Sequence, residues 1–239
     1  MRFAPPLVPA TLVRRYKRFL FDAVTGTGAA ITGFCPNTGS MRGLTEPGIR
    51  IWMSEHDSPA RKYRHALEMV EIGGDFIGVN TALPNRLAEE AIVAGQVADL
   101  ASYATLERER AYGAQSRIDM LLTDPAKGRC YVEVKNVHFS RSPGLAEFPD
   151  SPTQRGARHL DELSAMVAAG HRAVMVYLVQ RGDCDRLAIA ADFDPAYADA
   201  FRRARAAGVE AYAVACAVSP AQITPTGLIA IDEQGPAAL

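Results

Sequence analysis

Asp119, Glu133 and Lys135 are the three side chains whose types and spacing could do chemistry in this 239-residue chain. They lie within Arg117 to Asn136, which reads RIDMLLTDPAKGRCYVEVKN. Successive side chains of a strand point to opposite faces. Tyr131, Glu133 and Lys135 therefore share one face of the second segment, with Val132 and Val134 on the other. In the first segment Arg117, Asp119 and Leu121 alternate with Ile118, Met120 and Leu122. Between them Asp124-Pro-Ala-Lys-Gly128 supplies a turn, Pro fixing one dihedral and Gly allowing positive φ. A turn centred near Ala126 predicts an antiparallel hairpin with Asp119 opposite Glu133 and Arg117 opposite Lys135.

Two facing carboxylates repel and weaken a sheet. A divalent cation, Mg²⁺ or Mn²⁺, would offset that cost, because Mg²⁺ takes one or two carboxylates together with waters and phosphate oxygens. Lys135, on the same face as Glu133, could hold an attacking water or a phosphate oxygen. The chain has four lysines against twenty-two arginines. A compact ammonium at this position differs most from the guanidinium used elsewhere. The plainer reading of the same residues is a solvent-facing charge lattice on an ordinary hairpin.

At these residues the sequence resembles the PD-(D/E)XK nuclease-like fold, with Asp119 as the single acid and Glu133-Val-Lys135 as the acid-x-Lys element. The whole chain resembles the bacterial sugar fermentation stimulation protein A family. That resemblance is carried by LVPATLVRRYKRF near the start, CPNTGSM at 35–41, GVNTALPNRLAEEAI at 78–92, SRIDMLL, YVEVKNV, and GLAEFPD followed by RGARHL. It implies DNA binding and a regulatory role in sugar metabolism. It also implies a nuclease-like architecture, which by itself does not settle function.

The elements that would position these residues fall into two regions. Residues 1–83 carry ten Lys and Arg against seven Asp and Glu, and read as short β segments punctuated by Gly, Pro, Asn and Asp. Five segments, around Leu12 to Ala23, Ala29 to Phe34, Ile49 to Ser54, Ala66 to Ile72 and Phe76 to Val79, suit an OB-like barrel. Arg14, Arg15, Lys17 and Arg18 interleave with Tyr16, Phe19 and Phe21, and Arg61 and Lys62 with Tyr63. Such mixtures could grip a nucleic-acid backbone and stack on bases, or could be half-solvated edges with Phe19 and Phe21 in the core. The loop Cys35 to Arg42 could hold a phosphate on its amides, or could be a turn satisfied by Asn37 and Thr38.

Residues 84–239 read as α/β. Pro84 to Gly95 predicts a helix capped by Asn85, with Leu87, Glu90, Ala91 and Ala94 on one face. The nuclease-like resemblance implies an acid from this helix, Glu90, with Glu89 as the alternative. A strand near Thr105 to Tyr112, the hairpin and a loop from Gly144 to Pro152 precede a helix over Thr153 to Ala169. Thr153 is its expected cap and Leu160, Leu163, Met166 and Val167 its apolar stripe. Gln154, Arg155, Arg158 and His159 occupy its first turns, where they could meet a phosphate or simply be solvated. Ala173 to Val179 reads as a buried strand, and Pro195 to Ala207 with Val209 to Val218 as helix then strand. The aspartates from Asp183 to Asp194 surround an expected loop, and the chain from Gln222 onward reads as peripheral.

Composition excludes some classes. No apolar run approaches the ~20 residues that span a bilayer, the start lacks a signal-peptide pattern, and the cytoplasm is the expected location. Four scattered cysteines form neither a disulfide framework nor a zinc site. The net charge of −1 leaves nucleic-acid contact to local patches.

The expectation is therefore an α+β / α/β chain of two domains, an OB-like module at 1–83 and a nuclease-like mixed sheet flanked by helices at 84–239. Its catalytic set is Glu90, Asp119, Glu133 and Lys135, with Mg²⁺ (or Mn²⁺) on Asp119 and Glu133. Arg14, Arg15, Lys17, Arg18, Arg61, Lys62, Arg155 and Arg158 would contact DNA without strong sequence specificity, since no helix-turn-helix is evident. A homo-oligomer is allowed. The alternative is a non-catalytic DNA-binding regulator of sugar (maltose) genes.

Overall fold

Eleven strands and helices of the chain's second half surround the hairpin, and a barrel precedes them. The structure is a computed structural model and describes residues 1–57, 61–112 and 116–233. The barrel strands are β1 (Val8–Tyr16), β2 (Leu20–Thr25), β3 (Ala30–Phe34), β4 (Arg50–Glu55), β5 (His65–Ile72) and β6 (Asp75–Gly78). They follow the order β3-β2-β1-β4-β5-β6, and a β3–β5 pairing at Phe34 and Ala66 closes five of them. The segment expected as one strand from Leu12 to Ala23 is a hairpin instead. Lys17 and Arg18 turn the chain with φ of 50° and 67° between Tyr16 and Leu20, which pair. Phe21, one of the aromatics expected to stack on bases or to lie in the core, is fully buried against Gly33 in the barrel core with Leu12, Met53 and Leu67. A buried Phe of this kind contributes about 1.5–3 kcal/mol to folding.

The second half contains α1 (Pro84–Val93), α2 (Ala98–Ala101), β7 (Thr105–Tyr112), β8 (Ser116–Asp124) and β9 (Gly128–Val137). It continues with β10 (Phe139–Ser142), β11 (Gly144–Phe148), α3 (Gln154–Ala168), β12 (Arg172–Val179) and β13 (Cys184–Ile189). It ends with α4 (Pro195–Ala206), β14 (Glu210–Val218) and β15 (Ile223–Asp232). The nine strands make one mixed sheet in the order β10-β11-β13-β15-β14-β12-β9-β8-β7. One face packs on α3 and α4 through Leu160, Leu163, Tyr177, Tyr197 and Phe201, the other on α1 and α2 through Leu87, Ala91, Val132 and Val176. The expected fold class, an OB-like barrel followed by a mixed sheet flanked by helices, is the one observed.

Three sequence expectations change here. The aspartate-rich segment is no loop: it contains β13, and Asp194 caps α4 by accepting the amide of Tyr197 at 3.0 Å. The supposed loop from Gly144 holds β11, which runs parallel to β13. The chain beyond Gln222 is far from peripheral, because β15 lies between β13 and β14 inside the sheet.

The barrel is tied to the sheet. The Gly78 amide donates to the Gln180 carbonyl at 2.8 Å, and Ile77 bridges to Arg181. A Cβ on Gly78 would stand 2.7 Å from the Gln180 side-chain oxygen, so a side chain here would displace that amide. The Met41 amide donates to Asp150 at 3.1 Å. Among the described residues no helix is long and apolar enough to cross a membrane.

Candidate active site

The expected hairpin register is present from Asp124 opposite Gly128 to Met120 opposite Val132, where the pairing of β8 with β9 stops. Met120 and Val132 are buried on the α1 side, so alternation sends Asp119 and Glu133 toward the α3 side. One residue past the last pair, the Asp119 carboxylate takes over from the strand. Its Oδ2 accepts the Val134 amide at 2.7 Å and its Oδ1 accepts Asn85 Nδ2 at 2.8 Å. The pairing of β7 with β8 also skips this row, where Glu109 adopts φ 53° between two regular pairs. A non-glycine residue with that φ is strained, and it lies level with Asp119.

Glu133 is 3% exposed. Its Oε1 meets His159 Nδ1 in a short contact and receives Lys135 Nζ at 2.7 Å. Arg155 Nε lies 3.2 Å from His159 Nε2. A guanidinium only donates, so His159 Nε2 must accept. That assigns the ring proton to Nδ1, which donates to Glu133. Lys135 Nζ, 3.2 Å from Nδ1, is then held by Glu133 and only borders the ring. The other Glu133 oxygen, Oε2, is buried and has no hydrogen-bond partner.

The helix that delivers His159 begins where the sequence placed its cap. Thr153 accepts the Gly156 amide at 3.0 Å. A side chain at Gly156 would sit 2.8 Å from Thr153 and 3.1 Å from Tyr197, so its absence lets the first turn of α3 pack closely on α4. His159 then sits beside Leu160 and Leu163 on the buried face of α3.

The two carboxylates are electrostatically unlike. Burial, and behind it the charge of Glu133, pushes the Asp119 carboxyl above the usual range, against the bonds from Val134 and Asn85. Burial would raise Glu133 as well, but the His159 hydrogen bond and the Lys135 charge outweigh it and hold that carboxyl below its ordinary value. Burial also raises the Tyr112 phenol, which donates to Glu162 at 3.2 Å. Among the described residues no three His, Cys, Asp or Glu side chains converge as a ligand set. Two carboxylates with an orphaned, buried Oε2 form a donor set of the kind Mg²⁺ takes together with waters and phosphates.

Asp119, Glu133 and Lys135 are thus brought together, and Glu90 is not. Glu90 accepts from the Met1 amino group at 2.8 Å and from Arg86 at 3.1 Å, while Glu89 pairs with Arg108. The inner face of α1 is Leu87, Ala88, Ala91 and Ile92, and Ala94 is exposed. Asn85 does not cap α1, whose cap position is Leu83 with Pro84 following. Its amide is free for Asp119, so the helix contributes an amide where an acid was expected.

The cations also divide. Arg14 pairs with Asp22 at 2.8 Å. Arg15 donates to the carbonyls of Arg18, Asn37 and Gly39, at 2.6, 2.7 and 2.9 Å, and Arg18 Nε to that of Thr38 at 2.9 Å. These two arginines hold the loop at Cys35 to Arg42, in which Asn37 Oδ1 accepts the Gly39 amide at 2.8 Å. Arg155 serves His159, and Arg158 stands 3.9 Å from Glu162. Lys17, Arg61 and Lys62 are exposed. From the sequence His159 was expected to meet a phosphate or to be solvated. Its position one turn after Arg155, among the apolar residues of a helical stripe, was the available sign of burial.

Two family models decide the relationship. Residues 82–222 match the Sugar fermentation stimulation protein RE domain, and residues 13–79 the SfsA N-terminal OB domain. The chain belongs to the sugar fermentation stimulation protein family. Similar relatives include the sugar fermentation stimulation protein homologs of Rhizobium meliloti (strain 1021) and Agrobacterium fabrum (strain C58), 69% and 64% identical over the full length of both chains. The solved structure of Pyrococcus furiosus SfsA in complex with Ca²⁺ is 26% identical, with a TM-score of 0.87, covering 97% of this chain and 98% of that one. In this family setting the second half is the RE domain and the barrel before it the OB domain.

Proposed function

We propose that this chain binds DNA and hydrolyses phosphodiesters with a divalent cation, Mg²⁺ or Mn²⁺, held by Asp119 and Glu133. The observation that carries the reading is the division of labour on Glu133: Oε1 is fixed by His159 and Lys135, while Oε2 is buried and unpartnered beside a second carboxylate. The relative from Pyrococcus furiosus, described in complex with Ca²⁺, supports it, since Ca²⁺ is likewise a hard cation with oxygen ligands.

Bound there, a divalent cation would polarise the phosphodiester and lower the pKa of a water. The chain's own residues do the rest. Asn85 and the Val134 amide fix the rotamer of Asp119. His159, oriented by Arg155, and Lys135 fix that of Glu133. Lys135 has donors beyond the one it gives Glu133. It orients a water for attack or stabilises charge developing on a phosphate oxygen.

The test is incubation of labelled single- and double-stranded DNA with the purified protein in Mg²⁺, Mn²⁺ or EDTA, beside Asp119→Ala and Lys135→Ala. Metal-dependent cleavage lost in both variants, with DNA affinity largely kept, is the expected result. Undiminished cleavage by both would reject the assignment. Salt-sensitive binding without cleavage in any metal would leave the non-catalytic DNA-binding regulator in its place.

A further inference from the structure

The exposed aromatic residues of the barrel gather at one seam. Phe19 and Phe34 are 41% and 39% exposed, although both belong to a module that buries Phe21 completely. The Cys35 amide donates to the Phe19 carbonyl at 2.8 Å and Leu20 pairs with Phe34, so the two rings stem from adjacent backbone. Phe34 also makes the pairing with Ala66 that closes the barrel. There a groove is lined by Phe34, Arg61, Lys62, Tyr63 and Ala66, with the Lys62 ammonium 5.6 Å from the centre of the Tyr63 ring.

The charge at this groove is unbalanced. Among the described residues the carboxylates nearest in sequence, Glu55 and Asp57, are engaged by Arg64 at 3.2 and 3.3 Å. Among the described residues Arg61 and Lys62 have no carboxylate partner, and Lys17 in the β1–β2 turn has none. Exposed aromatic faces beside unpaired cations fit a polyanion that carries flat apolar groups.

We infer that this groove holds single-stranded nucleic acid, with unpaired bases stacked on Phe34 and Tyr63, flanked by Phe19, and the backbone phosphates on Arg61, Lys62 and Lys17. In a duplex each base has its faces covered by its neighbours, so rings of this kind find nothing to stack on. A single strand offers a π-face at every base, and stacking on aromatic side chains tolerates any sequence. The inference rests on nucleic acid being the partner of this chain, and is independent of whether the chain cleaves it.

The test is fluorescence polarisation with a labelled oligothymidine and a labelled duplex, in EDTA, so that neither metal binding nor cleavage enters. Phe34→Ala and Tyr63→Ala are each expected to weaken oligothymidine binding by about tenfold or more, the range found when a stacking residue is lost. Duplex binding should be unaffected. Phe34→Leu preserves an apolar side chain without a π-face. Failure of Leu to restore affinity separates stacking from a packing role. Full affinity in Phe34→Ala, rescue by Phe34→Leu, an equal loss on duplex, or no oligothymidine binding by the wild type would each overturn the inference. Failure of the hydrolase reading would instead show as binding intact and cleavage absent in metal.

Discussion

Asp119 accepts the amide hydrogen of Val134 at 2.7 Å, so a carboxylate occupies the gap where β8 leaves β9. The interaction fixes the acid next to Glu133, at the row where the pairing of β8 with β9 ends. It also keeps Asp119 buried beside another negative charge, which sets up the first prediction.

Asp119→Asn is expected to abolish metal-dependent cleavage and yet raise the melting temperature of the metal-free protein at neutral pH. The folded state raises the Asp119 pKa, through burial first and Glu133 second. Ionised Asp119 therefore costs stability above its folded pKa. Below the ordinary value of 3.8 both folded and unfolded carboxyls are protonated, and the cost vanishes. The gain from Asn should shrink as the pH falls through this window. Thermal melts of both proteins in EDTA from neutral to acid pH check it, and a variant less stable at neutral pH would contradict it.

His159→Ala is expected to weaken divalent-cation binding by about 10–100-fold, the usual effect of losing a group that orients a ligand. Asn at 159 can still donate to Glu133 and should recover most of that loss. Calorimetric titration with Mn²⁺ reads the effect directly. Equal losses in His159→Ala and His159→Asn would show that the ring acts through packing.

Arg15 and Lys62 should fail in different assays. Arg15→Ala removes a guanidinium that gathers three carbonyls and is expected to cost about 1.5–3 kcal/mol of stability, read as a lower denaturation midpoint. Lys62→Ala should leave stability unchanged and reduce the salt dependence of single-strand binding by about 0.7 in log–log slope, one phosphate contact.

Glu90→Gln should leave cleavage intact and loosen the attachment of the Met1 amino group. Asn85→Ala, one turn earlier, should lower cleavage by freeing the Asp119 rotamer. Side-by-side cleavage assays decide between the acid and the amide of α1.

The hairpin was legible because its charges alternate with apolar residues around a Pro- and Gly-bearing turn, and local pattern fixes register there. The β1–β2 turn was not, since Lys17 and Arg18 adopt positive φ without the Gly or Asn that would announce it. β15 escaped because Pro225 and Gly227 interrupt it. Its central place comes from pairing with β13 and β14, neither of which a local window reveals. Within the site, residue types identified Asp119, Glu133 and Lys135. The roles of Asn85, Arg155 and His159 depend on which helix end meets which strand, a relation set by packing over long sequence separations.

The contacts of Gly78 with Gln180, Ile77 with Arg181 and Met41 with Asp150 fasten the barrel to the sheet. A strand gripped at the aromatic groove and reaching Asp119 and Glu133 would therefore cross a fixed span. The molecule would act as a gauge, releasing fragments whose length is counted from the gripped end whatever their sequence.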